Sequence, residues 1–333
     1  MRIADVFFTL LAIVSLDLTA AASDQVISLP AGWIFNGEPI SVGTDGIAVV
    51  IYRLKIPPDP TQPYDSSRVL QVVGNEQFHN DFPSVARIEY SATGQHLLAV
   101  HVDYEEVSGT SLLTNQGQVL WTKSDSRAFS FSTTGEVVYA WTPGGNHVEV
   151  FSVTGNSLHI FDIEAPLIGA VVLGSGQQAV LMAGHSLICL DALSSSSIWQ
   201  IDLPFQYPEI WQAWVLDPSR FILKLLGGAF VVVRTNGLVE YTYDPMALGA
   251  ADPVKESTDY ARYGLSSGPS AGTLTLFDRS SVTHTLDLAS GQLTPKTIDT
   301  TPPQGFELSP YLLWQQIFFF SRNQIVVRQI PDP

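Results

Sequence analysis

The segment from Gly264 to Gly268, with Ser266 at its centre, has the spacing G-x-S-x-G. In hydrolases that spacing exposes a nucleophilic serine on a strained strand-to-helix turn beside an oxyanion hole. Here the segment falls at a hairpin with a strand-like run after it, so a Gly/Ser-rich β-turn is the expected structure. Seven histidines, at 79, 96, 101, 147, 159, 185 and 284, form neither H-x-H nor H-E-x-x-H. His96 and His101 are five apart, so on one strand they face opposite sides and cannot share a metal. The acidic stretches Asp59 to Asp65 and Asp103 to Glu106 lack the alternating oxygen spacing of a calcium loop and read as solvated loops. The single cysteine, Cys189, sits in an apolar run and reads as a core thiol. No catalytic set, metal site or cofactor is assigned from these residues, although side chains from separate repeats could still converge on a central channel.

The elements that would position any site repeat along the chain. Ile88 to Val100 and Ala128 to Trp141 are each a short apolar run, a small or polar turn, and a second apolar run. The same figure recurs with turn anchors at Gly46, Gly94, Gly135, Gly176, Ser219, Gly272 and Pro310, separated by 48, 41, 41, 43, 53 and 38 residues. A period of roughly 40–45 residues built of short strands is the mark of β-propeller blades. Runs such as Phe230 to Arg234 and Ile317 to Phe320 are β-branched or aromatic, as strands buried on both faces should be. The expectation is an all-β, single seven-bladed propeller over residues 23–333. Its last repeat stops one strand short, so the strand-like Gln25 to Leu29 is expected to pair with Gln324 to Ile330 and close the ring.

A second hairpin follows the first in each repeat, with a turn residue and a bulky side chain four places on. Gly117 leads to Trp121, Gly155 to His159, Ser195 to Trp199 and Gly237 to Tyr241, while Gly291 leads to Pro295. The run Leu190 to Leu203, with Trp199 after a Leu-Asp turn, resembles the tryptophan-docking repeat of quinoprotein-like propellers. Asn115 to Trp121 and Leu286 to Leu293 are partial copies. The resemblance implies the broad quinoprotein-like and WD40-like class, which holds quinone-dependent dehydrogenases and many exported non-enzymatic scaffolds. The vicinal cysteines of those dehydrogenases and the Trp-Asp ending of WD40 repeats are both absent.

Composition narrows the setting. Arg2, the apolar stretch Val6 to Leu18 and the small residues Ala20 to Ala22 read as a secretory signal peptide over 1–22, implying a secreted or periplasmic protein. The competing reading of that stretch is a buried strand or helix. A net charge of −16, from 32 acidic and 16 basic residues, disfavours nucleic acid and anionic membranes as partners. No membrane insertion is expected, and a monomer is the default state.

Long connections mark one face. In a four-stranded blade, the second-to-third strand loops and the connections to the next blade emerge together. Lys55 to Ser67, Asp103 to Glu106, Pro204 to Trp211 and Pro245 to Ala261 all fall there. Loops on a rigid scaffold carry function, and aromatics with a few charges are typical binding material. Tyr64, Asp65, Tyr104, Glu105, Glu106, Phe205, Tyr207 and Trp211 are therefore the candidate binding residues. The function read from the sequence is a non-catalytic scaffold for a protein or small ligand. The alternatives are a hydrolase or lyase with a site in the central channel and, further off, a quinone-dependent oxidoreductase.

Overall fold

The computed structural model describes residues 24–329 except 37–38, 44–45, 56–63, 104–105, 185, 204–209, 218, 226–229, 244–263, 268–272, 278–281, 288–291, 298–300 and 314–315. The proposed signal peptide lies outside the described residues. Every described element is a strand, and the strands form seven antiparallel sheets.

The chain opens with β1 (Gln25–Ser28) and the short β2 (Trp33–Ile34). Blade 1 is β3 (Ile40–Val42), β4 (Gly46–Leu54), β5 (Tyr64–Val73) and β6 (Glu76–Phe82), with β2 also paired to β4. Blade 2 is β7 (Val85–Tyr90), β8 (His96–Asp103), β9 (Glu106–Thr114) and β10 (Val119–Lys123). Blade 3 is β11 (Ala128–Phe131), β12 (Val137–Trp141), β13 (His147–Ser152) and β14 (Ser157–Asp162). Blade 4 is β15 (Gly169–Leu173), β16 (Gln178–Ala183), β17 (Ser186–Asp191) and β18 (Ser197–Asp202). Blade 5 is β19 (Ile210–Asp217), β20 (Arg220–Leu225), β21 (Phe230–Arg234) and β22 (Val239–Tyr243). Blade 6 is β23 (Gly264–Ser267), β24 (Thr273–Phe277), β25 (Val282–Asp287) and β26 (Leu293–Thr297). Blade 7 is β27 (Glu307–Leu313), β28 (Gln316–Phe320) and β29 (Gln324–Gln329), completed by β1.

That completion is antiparallel, with Gln25 opposite Val327 and Ser28 opposite Gln324. Ile27 is 2% exposed, and Arg328 holds the Asp24 carboxylate through two hydrogen bonds of 3.2 Å. The first strand of each blade lies innermost: β3 meets β7, β7 meets β11, β15 meets β19, β23 meets β27, and β27 meets β3. The core is a set of apolar layers between adjacent blades. One layer joins Val180, Met182 and Cys189 of blade 4 to Phe221, Leu223 and Val231 of blade 5. Cys189 is thus a core thiol, and burial pushes its pKa up to about 11.

The docking repeat is visible as geometry. Trp121 lies against Gly155, the turn of the next blade, and its Nε1 donates to Val153 O at 3.1 Å. Trp199 does the same to Gly237, donating to Thr235 O at 2.9 Å. Blade 1 holds a copy that the spacing did not suggest: Phe78, four residues after Gly74, lies against Gly117. In blades 2 to 5 the residue before the docking side chain is an inserted bulge, at Leu120, Leu158, Ile198 and Glu240. A bulge bends the outer strand and re-aims the next side chain, here onto the neighbouring turn.

Two expectations are corrected. Pro310 is not a turn but lies inside β27, where the register with β28 shifts between Leu308 and Leu312. Proline lacks an N–H for the ladder and is tolerated at such an irregularity. β27 runs on to Leu313 and β28 begins at Gln316, so the break between the two strands comes after Pro310. Ser266 is likewise not in a turn: it lies in β23, opposite Thr275.

Candidate functional site

Alternating antiparallel strands bring the β4–β5, β8–β9 and β28–β29 connections and all blade-to-blade connections to one face. Tyr64 stands at that face, half-buried, but on β5 opposite Leu54 rather than in a loop. Asp65 follows it on the same strand. The pairing of the long strands β4 and β5 runs as far as Leu54 opposite Tyr64. Tyr64 stacks on Tyr52, with ring centroids 4.5 Å apart and an interplanar angle of 28°.

Glu106 opens β9 opposite Asp103, so it lies on a strand rather than in a loop. Trp211 falls within β19, at a register irregularity between Ile210 and Gln212, and so belongs to the entrance of an innermost strand rather than to the loop before it. Tyr104, Glu105, Phe205 and Tyr207 lie outside the described residues.

The described part of this face contains groups that sequence patterning did not single out. Arg68 lies over the Trp33 ring at 4.3 Å from its centroid and forks onto Asp81, with Nε–Oδ1 of 2.5 Å and Nη2–Oδ2 of 2.9 Å. That hydrogen bond holds the Asp81 carboxyl below the usual range. On the connection from blade 2 to blade 3, Arg127 reaches Asp125 at 2.9 Å and Glu149 at 2.6 Å. Its guanidinium stands 5.5 Å from Phe129 and 5.4 Å from Phe151, and Lys123 Nζ is 4.3 Å from Phe151. Burial would raise the Glu149 carboxyl, but hydrogen bonds from Ser157 and Arg127 outweigh it and hold the group low.

At the seam where blade 7 meets blade 1 there is a cavity of about 270 Å³, lined by Phe35, Gly305, Glu307, Phe320, Ser321 and Arg322. Phe35 and Phe320 meet edge to face, with centroids 5.6 Å apart at 84°. Three chain segments far apart in sequence build it, which is why no local pattern announced it.

The innermost strands carry their own polar links. Glu89 on β7 pairs with Arg87 and reaches across to blade 3, where Oε1 accepts from Ser130 Oγ at 2.7 Å and from Phe131 N at 3.3 Å. Ser41, the equivalent position one blade earlier, accepts from Tyr90 N at 2.9 Å. Both side chains bridge consecutive blades at the same register. In blade 2, His101 Nε2, Ser111 Oγ and Thr122 Oγ1 form a hydroxyl chain with steps of 2.8 Å. His159, at its docking position, has Nε2 3.3 Å from Gln177 Nε2 of blade 4. Among the described residues no three His, Cys, Asp or Glu side chains are grouped to hold a metal.

The architecture has solved counterparts. The β-propeller domain of Cps50 (Swd1) from Myceliophteria thermophila is similar at TM-score 0.59 and 9% identity, covering 93% of this chain and 100% of that one. The chain folds as a β-propeller. At such low identity the likeness is one of fold alone. No family model matches the chain, and no curated protein matches it in the sequence comparison. Among the described residues of the propeller, no helix is long and apolar enough to cross a membrane.

Proposed function

We propose that this propeller is an exported, non-catalytic binding scaffold that captures a protein or ligand through its loop-rich face. The observation that carries the reading is the aromatic and charged character of that face around blades 1 and 7. There the Tyr52–Tyr64 stack, the Arg68-capped Trp33 and the Phe35–Phe320 pair lie at one end of the strands. Rigid aromatics beside a few charges give contact area at low entropic cost, the composition of interaction hot spots. A surplus of 16 negative charges favours partners with a basic or neutral face.

Tyr64, Asp65, Tyr104, Glu105, Glu106, Phe205, Tyr207 and Trp211 are the residues assigned to the contact. Export rests on the apolar stretch from Val6 to Leu18 and the small residues before Ser23. The test is affinity capture from the native secretome with the mature protein as bait. The triple variant Tyr104→Ala, Glu105→Ala, Trp211→Ala should keep the β-sheet circular dichroism spectrum of the folded protein and lose the captured partner. Retention of the partner by that variant would reject the assignment.

A further inference from the structure

The seam cavity carries two opposite charges that do not neutralise each other. Glu307 and Arg322 both line it, both are exposed, and neither has an ion-pair or hydrogen-bond partner among the described residues. In a chain whose other described arginines mostly hold carboxylates, as Arg68, Arg87, Arg127, Arg234 and Arg328 do, a separated pair across one cavity stands out.

Their placement follows from local structure. Pro303 O accepts from Phe306 N at 3.0 Å, and Gly305 takes φ +83° in that turn, which delivers Glu307 to the first position of β27. Glu307 stands directly opposite Phe320, the last residue of β28. Two residues on, Arg322 lies in the turn that Ser321 N closes by donating to Gln324 O at 2.9 Å. Phe35, 3% exposed, follows β2 and packs edge to face beneath Phe320, fixing that ring from below. One carboxylate, one guanidinium and the partly exposed ring of Phe320 therefore converge on about 270 Å³. That is just under the range of about 300–1,000 Å³ that drug-sized ligands occupy.

We infer that this cavity binds a small zwitterion with an apolar side chain, of the size of a free aromatic amino acid. The ammonium meets Glu307, the carboxylate meets Arg322, and the side chain lies on Phe320, which Phe35 backs from beneath. A simple anion or cation would leave one of the two protein charges facing its like or solvent, whereas a zwitterion satisfies both. The inference rests on the reading of this face as the binding face, and narrows it to a ligand class.

The test is titration calorimetry of the mature protein with L-phenylalanine, 3-phenylpropionate and phenethylamine, which share the ring and differ in the charged groups. L-Phenylalanine should bind about fivefold more tightly than either analogue, the weight of one exposed ion pair. Arg322→Gln should weaken L-phenylalanine and 3-phenylpropionate and leave phenethylamine unchanged, and Glu307→Gln should do the reverse. Phe320→Leu keeps the fold apolar and should weaken all three. Equal affinity for the three ligands, indifference to both charge variants, or no saturable binding of L-phenylalanine up to roughly 10 mM, an affinity below about 3 kcal/mol, would overturn it. Loss of partner capture in the Tyr104, Glu105, Trp211 variant with phenylalanine binding intact, or the converse, tells failure of the ligand from failure of the face.

Discussion

Trp199 of blade 4 lies flat enough against Gly237 of blade 5 that a Cβ on that glycine would stand 2.7 Å from the indole. The same indole donates to Thr235 O at 2.9 Å, so one side chain both packs on and hydrogen-bonds the neighbouring turn. Gly237 has φ +87°, a left-handed conformation that side chains resist. Gly237→Ala should therefore cost roughly 2–4 kcal/mol, from backbone strain and overpacking together. Trp199→Ala should destabilise similarly, and the double variant should cost less than the sum of the two in urea denaturation. Strict additivity would show that the two residues do not act as one contact.

Ser195 occupies the corresponding turn of blade 4 with φ 50°, where Gly117, Gly155 and Gly237 stand in the other blades. Ser195→Gly releases that strain but frees the unfolded chain, so the net change should lie between neutral and about 1 kcal/mol stabilising. Gly155→Ser should instead be clearly destabilising, because its Cβ would meet Trp121 at 3.1 Å. Equal effects at the two sites in thermal melts would contradict the docking geometry.

Much of this was legible in the sequence. The period, the two hairpins per repeat and the closing strand were all carried by local apolar runs and by glycines that turns require. What local patterning does not carry depends on partners far away in the chain. Proline at 310 looked like a turn because local signals do not show that a bulge relieves its missing N–H. The bulges at Leu120, Leu158 and Ile198 look like ordinary strand residues, since period-two alternation does not mark an extra residue. The seam cavity joins Phe35 to Phe320 across nearly the whole chain, and Glu307 and Arg322 match no motif.

Ring closure predicts a global effect from a short deletion. Removing residues 23–30 exposes the edge of β29, the pocket of Ile27 and the guanidinium of Arg328. Loss of a buried isoleucine together with a strand's ladder should lower the melting temperature by about 10 °C or more. An unchanged melt would mean that the pairing of Gln25 with Val327 adds nothing to stability.

Acid should loosen the fold in two stages. Burial holds His96 and His101 below the ordinary histidine pKa, so the unfolded chain takes up protons that the folded chain refuses. Their contribution is complete above about pH 6.5 and drains as pH falls through the lowered folded values. Asp81 and Glu149, held low in the fold, are lost only below about pH 4 by the same sign. The melting temperature should decline between about pH 6.5 and 5, and His101→Gln should shrink that decline. A pH-independent melt across this range would contradict it.

Hydrogen–deuterium exchange on the captured complex tests the central claim most directly. Partner binding should protect the segments 55–67, 103–106 and 204–211 and leave the turns 115–118 and 153–156, on the opposite face, unchanged. Protection confined to those opposite turns, with the loop-rich face exchanging as in the unbound protein, would contradict the account.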